Sequence, residues 1–237
     1  MQKNKITTYL LYAIGEIVLV VIGILIAVSI DDWNQAQKNL AAEKVLLRKV
    51  LTDLEVDASG FIKNRATTER IADFHHDCFG IILGKREVAE VAFKDPNLTR
   101  RTLYYIPLTR DNHPDLVNRV SIEELKEPIA AYFRWMKTMD AAFVEFVNVV
   151  DKIRSTISMK KGHNLAALYD KSFTAFNMDG NVVLITRESL LKLLKDEYFQ
   201  QLLLESNLKL QDTQASLDSL ISQNTKLKSM ISQSLAK

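Results

Sequence analysis

The side chains best suited to chemistry in this sequence are few and poorly matched to one another. His75-His76-Asp77-Cys78 brings four metal-ligand types together, but successive residues of a helix point about 100° apart and cannot all meet one ion. His75 and Cys78 are three apart, share a face and could supply two ligands. His113 and His163 lie far away with no patterned spacing, so Cys78 reads as a core residue and no metal is expected. As the one cysteine of the chain, Cys78 also excludes an intrachain disulfide.

Asp151, Asp170, Asp179 and Glu188 show no spacing that suggests a catalytic carboxylate pair, and acids this frequent mostly cover solvated helix faces. The sequence holds no GxSxG, P-loop, GxGxxG or HExxH pattern. Phe133, Trp135, Phe143, Phe146 and Phe176 could line a ligand pocket, but at helical spacing they read first as core. No enzyme and no cofactor is therefore expected, although a site assembled from scattered residues escapes motif reading.

One further acid stands out by its surroundings. Glu16 is the only charged residue between Ile6 and Ile30, ITTYLLYAIGEIVLVVIGILIAVSI. At 1.5 Å per residue that run crosses a hydrocarbon core of about 30 Å. A carboxylate there is costly, so it should be protonated, snorkelling or paired with a group on another helix. Gly15 and Gly23 are eight apart, near one face that Glu16 adjoins, and small residues let a neighbouring helix approach closely. Gly15, Glu16 and Gly23 are thus the expected membrane-assembly residues.

The element that positions them is a transmembrane helix over 6–30. Lys3 and Lys5 precede it and Asp31 and Asp32 follow it, so the positive-inside rule puts a five-residue tail (1–5) in the cytoplasm and residues 31–237 outside. Tyr9, Tyr12 and Trp33 stand where interfacial aromatics belong. A cleaved signal peptide is the rival, because Ala27-Val28-Ser29 has the small residues of a cleavage site; the run is longer than a usual h-region and carries an acid, which favours a retained anchor. The expected topology is single-pass, with the C-terminal domain on the far side of the membrane.

The run from Tyr12 to Ala27, YAIGEIVLVVIGILIA, followed by Asp32-Trp33-Asn34, resembles the N-terminal signature of a family of uncharacterised single-span proteins of Gram-negative bacteria, a domain of unknown function. The resemblance covers about residues 9 to 37. Members usually carry an Asn-rich turn where this chain has Asp31-Asp32. The resemblance implies topology, a bacterial inner-membrane location, single-pass, with a periplasmic C-terminal domain, and supplies no mechanism.

Beyond the anchor, Trp33, Leu40, Leu47, Leu54 and Phe61 recur every seven residues, an apolar seam on a helix that continues outward, with Gly60 a place to bend. Helical spacing persists through Ile71, Phe74, Cys78 and Ile82 to Gly84, a C-terminal stop, so the first arm should end near residue 83. All four prolines fall between Pro96 and Pro128, and 85–120 reads as an irregular connection. Ser121 to Glu124 has the form of a capping box, opening a helix to about Lys160. Asp179-Gly180 is a turn signal compatible with a small hairpin. From 186 to 237 there is neither glycine nor proline, and a C-terminal coiled-coil-like helix is expected; Leu203, Leu210, Leu217 and Ile231 share a heptad position with Asn224, which is expected to fix register as buried asparagines do in coiled coils.

The expected fold is therefore mainly α: one N-terminal transmembrane helix continuing into an elongated extracytoplasmic bundle of three or four helices, packed antiparallel across the connection. With 31 basic and 29 acidic residues and no run of either sign, no nucleic-acid partner is expected. The expected partners are membrane lipid and either further copies of the chain or other envelope membrane proteins. The function this supports is a non-catalytic, membrane-anchored interaction or scaffold protein. The alternatives are an auxiliary single-span subunit of an ion-driven machine using Glu16, and a periplasmic helical sensor module signalling through a partner.

Overall fold

Eighty consecutive residues, Lys3–Ile82, form a single helix, α1, in the computed structural model of the chain. The structure describes residues 3–91, 93, 95–166 and 183–236, and of 3–13 the backbone alone. The chain divides into two compact units, Met1–Lys49 and Val50–Lys237.

In the first unit α1 contains a stretch long and apolar enough to cross a membrane, of mean hydropathy 2.5 and with none of it buried. Its aliphatic side chains are bare: Leu19 is 71% and Ile17 63% exposed. Trp33 and Leu40, placed by the heptad count in a packed seam, are exposed as well.

In the second unit α1 runs through Gly60, since one interior glycine costs only about 1 kcal/mol against a long helical background. It stops where expected. Gly84 adopts φ +63°, its N–H bonds the Ile81 carbonyl at 3.0 Å, and the Lys85 N–H bonds the Gly80 carbonyl at 2.8 Å. This is a Schellman closure, which requires the left-handed conformation that glycine adopts without a Cβ penalty.

Four short helical segments follow: 3-10 turns at Val88–Glu90 and Pro96–Arg100, then α2 (Leu108–Asn112) and α3 (Leu116–Arg119). Helix α4 spans Glu123–Met159 and passes through Pro128; Ile122, rather than Ser121, stands at its N-cap. Beyond it come α5 (Arg187–Leu193) and α6 (Glu197–Ala236). The expected coiled-coil-like helix over 186–237 is thus two helices, separated at 194–196. Asp196 is the cause, its carboxylate accepting the Phe199 N–H at 3.0 Å as an N-cap and opening α6 afresh. The hairpin proposed around Asp179-Gly180 lies outside the described residues; among those, the one β feature is an isolated antiparallel bridge between His163 and Ile185.

Cross-links give the helix directions. Arg65 bonds Asp218 at 2.7 Å while Asn224 reaches back to Leu54, and Lys209 meets Glu145 at 2.7 Å while Asn224 also bonds Tyr132 at 3.0 Å, so α6 runs antiparallel to both other long helices. Asp57 on α1 meets Tyr132 on α4, and Ile71, Phe74 and Cys78 share a core cluster with Val150, Ile153 and Ile157. Helices α1 and α4 are therefore parallel, which corrects the expected antiparallel pairing. A parallel neighbour needs a crossover that returns the chain to its starting level, and the proline-containing connector provides one.

The core follows the heptads. Leu203, Leu210, Leu217, Asn224 and Ile231 are all buried, none more than 1% exposed, as are Leu54 and Phe61. Each such leucine or phenylalanine contributes about 1.5–3 kcal/mol through removal from water.

Candidate functional site

The connector lies along α1 as an ordered strap, held by polar side chains at near-heptad positions 53, 57 and 64. From the far end downward, Arg70 pairs with Asp95 at 3.4 Å, and the Asn64 amide donates to the Tyr104 carbonyl at 2.8 Å. Asp57 then accepts the Leu108 N–H at 2.8 Å and the Thr109 N–H at 3.2 Å. Asp53 receives the Asn112 amide at 2.9 Å and lies 3.1 Å from His113 Nε2. A second anchor is the ion pair between Arg110 and Asp140 on α4. Proline suits such a strap, because an extended chain paired with no sheet has no ladder to lose.

Asp57 is the centre of this arrangement. It is 2% exposed, and its carboxylate takes the first two backbone N–H groups of α2, serving that helix as a capping anion from outside its own sequence. Tyr132, fully buried, donates its hydroxyl to the same carboxylate at 3.1 Å. The Asn224 amide donates to Tyr132 Oη at 3.0 Å and to the Leu54 carbonyl at 2.9 Å, so one network joins α1, α4, α6 and the strap. Burial pushes the Asp57 carboxyl above its ordinary range, opposed by the hydrogen bonds from Thr109, Tyr132 and Leu108. Burial, with the neighbouring Asp57 charge, likewise drives the Tyr132 and Tyr105 phenols upward. Tyr105 stacks near Phe61, ring centroids 5.4 Å apart, and its hydroxyl is buried without a partner.

Asp57, Tyr132 and Asn224 are sealed from solvent, and their hydrogen bonds tie the strap to all three long helices. Asn224 is buried at its heptad position, and its amide contacts are a tyrosine hydroxyl and a backbone carbonyl. Sequence reading missed Asp57, Asn64 and Tyr132. The available signal was their polar type at positions where the heptad pattern demands burial, with Tyr132 midway between the core residues Ile129 and Met136.

The other candidates separate. His75 and Cys78 are both buried, and among the described residues no three His, Cys, Asp or Glu side chains converge to hold a metal. Burial holds the His75 imidazole down at about 4, opposed by a hydrogen bond with Asn207, and pushes the Cys78 thiol up, which leaves it a poor nucleophile. His113 belongs to the strap and His163 to the turn after α4. Of the aromatics, Phe146 is fully buried in the core, Phe143 packs against its edge, and Phe176 lies outside the described residues.

On the apolar stretch of α1, Gly15 and Gly23 have open space where a Cβ would stand. Glu16 shares a shallow groove with Ile17, Val20 and Val21; a second groove runs from Ile22 to Trp33. Tyr9 and Tyr12 lie on α1 where only the backbone is described. Trp33 is 66% exposed.

No curated protein and no solved structure matches the chain. One family model does, over residues 16–64, a stretch that begins at Glu16 and ends at the strap-binding Asn64: the family of unknown function DUF6090.

Proposed function

We propose that the chain is a non-catalytic, membrane-anchored interaction or scaffold protein of the bacterial envelope, held in the inner membrane by residues 6–30 with residues 31–237 in the periplasm. The observation that carries this reading is the bare apolar surface of α1. A core helix of a soluble protein would be covered, whereas from Ile14 to Ile30 every residue is exposed and one charge occurs. Lipid or a second hydrophobic helix is the medium such a surface requires. The bundle adds support, because its most strongly perturbed groups are sealed in packing rather than open to a substrate.

Assembly within the membrane runs through the face of Gly15, Glu16 and Gly23, against another copy of the chain or another membrane protein. Crosslinking in membranes followed by native mass spectrometry in mild detergent tests it. Stable neighbours that disappear in Gly15→Leu/Gly23→Leu are the expected result. A strictly monomeric wild-type chain with no crosslinked neighbour would contradict it.

Glu16 favours a second reading, an auxiliary subunit of an ion-driven machine. Among the described residues the span carries no cationic side chain to neutralise an acid framed by Ile17, Val20 and Val21, and a partner's ion path would supply one. Glu16→Gln separates the two: loss of a proton-dependent phenotype with intact assembly favours ion coupling, and unchanged phenotype removes it.

A further inference from the structure

We propose that Arg100, Arg154 and His163 form a binding site for a phosphate-type oxyanion, a site distinct from the membrane-assembly face. Three separate segments bring these residues together. Arg154 lies on α4, and its guanidinium clamps the Arg100 backbone carbonyl through Nε at 3.1 Å and Nη2 at 2.9 Å, with Nη2 also 3.3 Å from Thr102 Oγ1. One helical turn further on, Ser158 Oγ is 3.4 Å from His163 Nδ1. The His163–Ile185 bridge and the bond from Leu184 N–H to Asn97 Oδ1, 2.9 Å, tie that turn back to the Pro96–Arg100 segment.

The cluster is cationic and incompletely satisfied. Asp151 pairs with Arg154 Nη1 at 2.8 Å, and that is its one carboxylate among the described residues. Arg100 makes no ion pair there, and its Nε is buried without a hydrogen-bond partner. His163 Nε2 is also buried and unpartnered. Burial and the Arg154 charge weaken the Arg100 proton affinity, and burial and the Arg100 charge do the same to His163. Arg100, Arg154 and His163 are each half-buried, and holding two guanidinium charges beside an imidazole there, with donors unpartnered, costs free energy. An oxyanion relieves it: a tetrahedral phosphate accepts from the Arg100 fork and from a His163 Nε2–H, while Arg154 contributes its field. Ring and guanidinium donors in this arrangement select an anion over a cation or a neutral sugar. A free phosphate or phosphate ester and a phospholipid headgroup present the same chemistry.

The test is titration of the full-length protein in neutral detergent with inorganic phosphate, against chloride at equal ionic strength, reading the shift in thermal midpoint. Saturable stabilisation by phosphate is expected, with roughly tenfold weaker apparent affinity in Arg100→Gln, since that substitution removes the charge-assisted hydrogen bonds to the anion. His163→Gln should weaken it less and Lys152→Gln should leave it unchanged. Should Arg100→Gln fail to fold, His163→Gln against Lys152→Gln still decides. Phosphate that stabilises no more than chloride, or equally in all variants, overturns the site. Repeating the titration in nanodiscs identifies the source: phosphatidic acid weakens the apparent phosphate affinity relative to phosphatidylcholine if a headgroup occupies the site, and leaves it unchanged if the ligand is a free phosphate.

Discussion

Replacing Asp57 by alanine removes the acceptor on which three buried donors converge: the N–H groups of Leu108 and Thr109 and the hydroxyl of Tyr132. Each buried donor left unpaired costs about 1–3 kcal/mol, so simple addition gives roughly 3–9 kcal/mol. Water entering the vacated volume and fraying of the five-residue α2 recover part of this. About 4 kcal/mol is the expected net loss, a large fraction of the roughly 5–15 kcal/mol by which domains are stable. Asp57→Asn should cost about half as much, because one amide oxygen still accepts while its NH2 confronts the remaining donors. With a urea slope of about 2 kcal/mol/M, the Ala variant should unfold about 2 M earlier. The assay is urea unfolding of the detergent-solubilised chain followed by far-ultraviolet circular dichroism. Hydrogen exchange read alongside it should show 104–120 losing protection first. An Ala variant within about 0.5 kcal/mol of wild type, or equal to the Asn variant, would refute the assignment of Asp57 as the pin of the strap.

His75 has its folded value depressed to about 4, so the unfolded chain takes up the proton first: stability is full above about pH 6.5 and falls toward pH 4 by up to about 3 kcal/mol, a slope that His75→Leu should flatten in pH-dependent urea melts. Asp57 has the opposite sign, since a raised carboxyl is penalised when ionised; its contribution grows as pH falls through the raised value toward the ordinary one, and Asp57→Asn should remove that gain in the same melts. Gly84→Ala meets no steric obstacle yet must hold φ +63°, and should cost about 1 kcal/mol by thermal unfolding. Asp196→Ala removes the cap of α6 and should cost about 0.5–2 kcal/mol, with exchange protection lost first around Phe199.

Periodicity made the long helices legible. An apolar residue every seventh position can be buried in few ways, and the run from Leu203 to Ile231, Asn224 included, is buried as its spacing implies. Gly84 was legible for an equally local reason, a left-handed position at the end of a helical pattern. The direction of α4 was not, because it depends on whether the connector turns back at once or travels the length of the bundle. The connector's course is held by contacts from Asp53, Asp57 and Asn64, and although Asp57 and Asn64 stand at positions where the heptads demand burial, their spacing does not say which segment covers them. The break at 194–196 was hidden because one aspartate can cap a helix or decorate it. The Arg100–Arg154–His163 cluster joins residues up to 63 positions apart and has no linear signature.

The most direct test is where the two parts of the chain reside. Ser232→Cys places a thiol at an exposed position near the end of α6, while Cys78 is fully buried and should stay silent. A membrane-impermeant maleimide applied to spheroplasts should label that thiol without lysis, in a protein that stays with the membranes through alkaline carbonate washing. Labelling only after lysis, or release of the intact chain into the carbonate supernatant, would contradict the account.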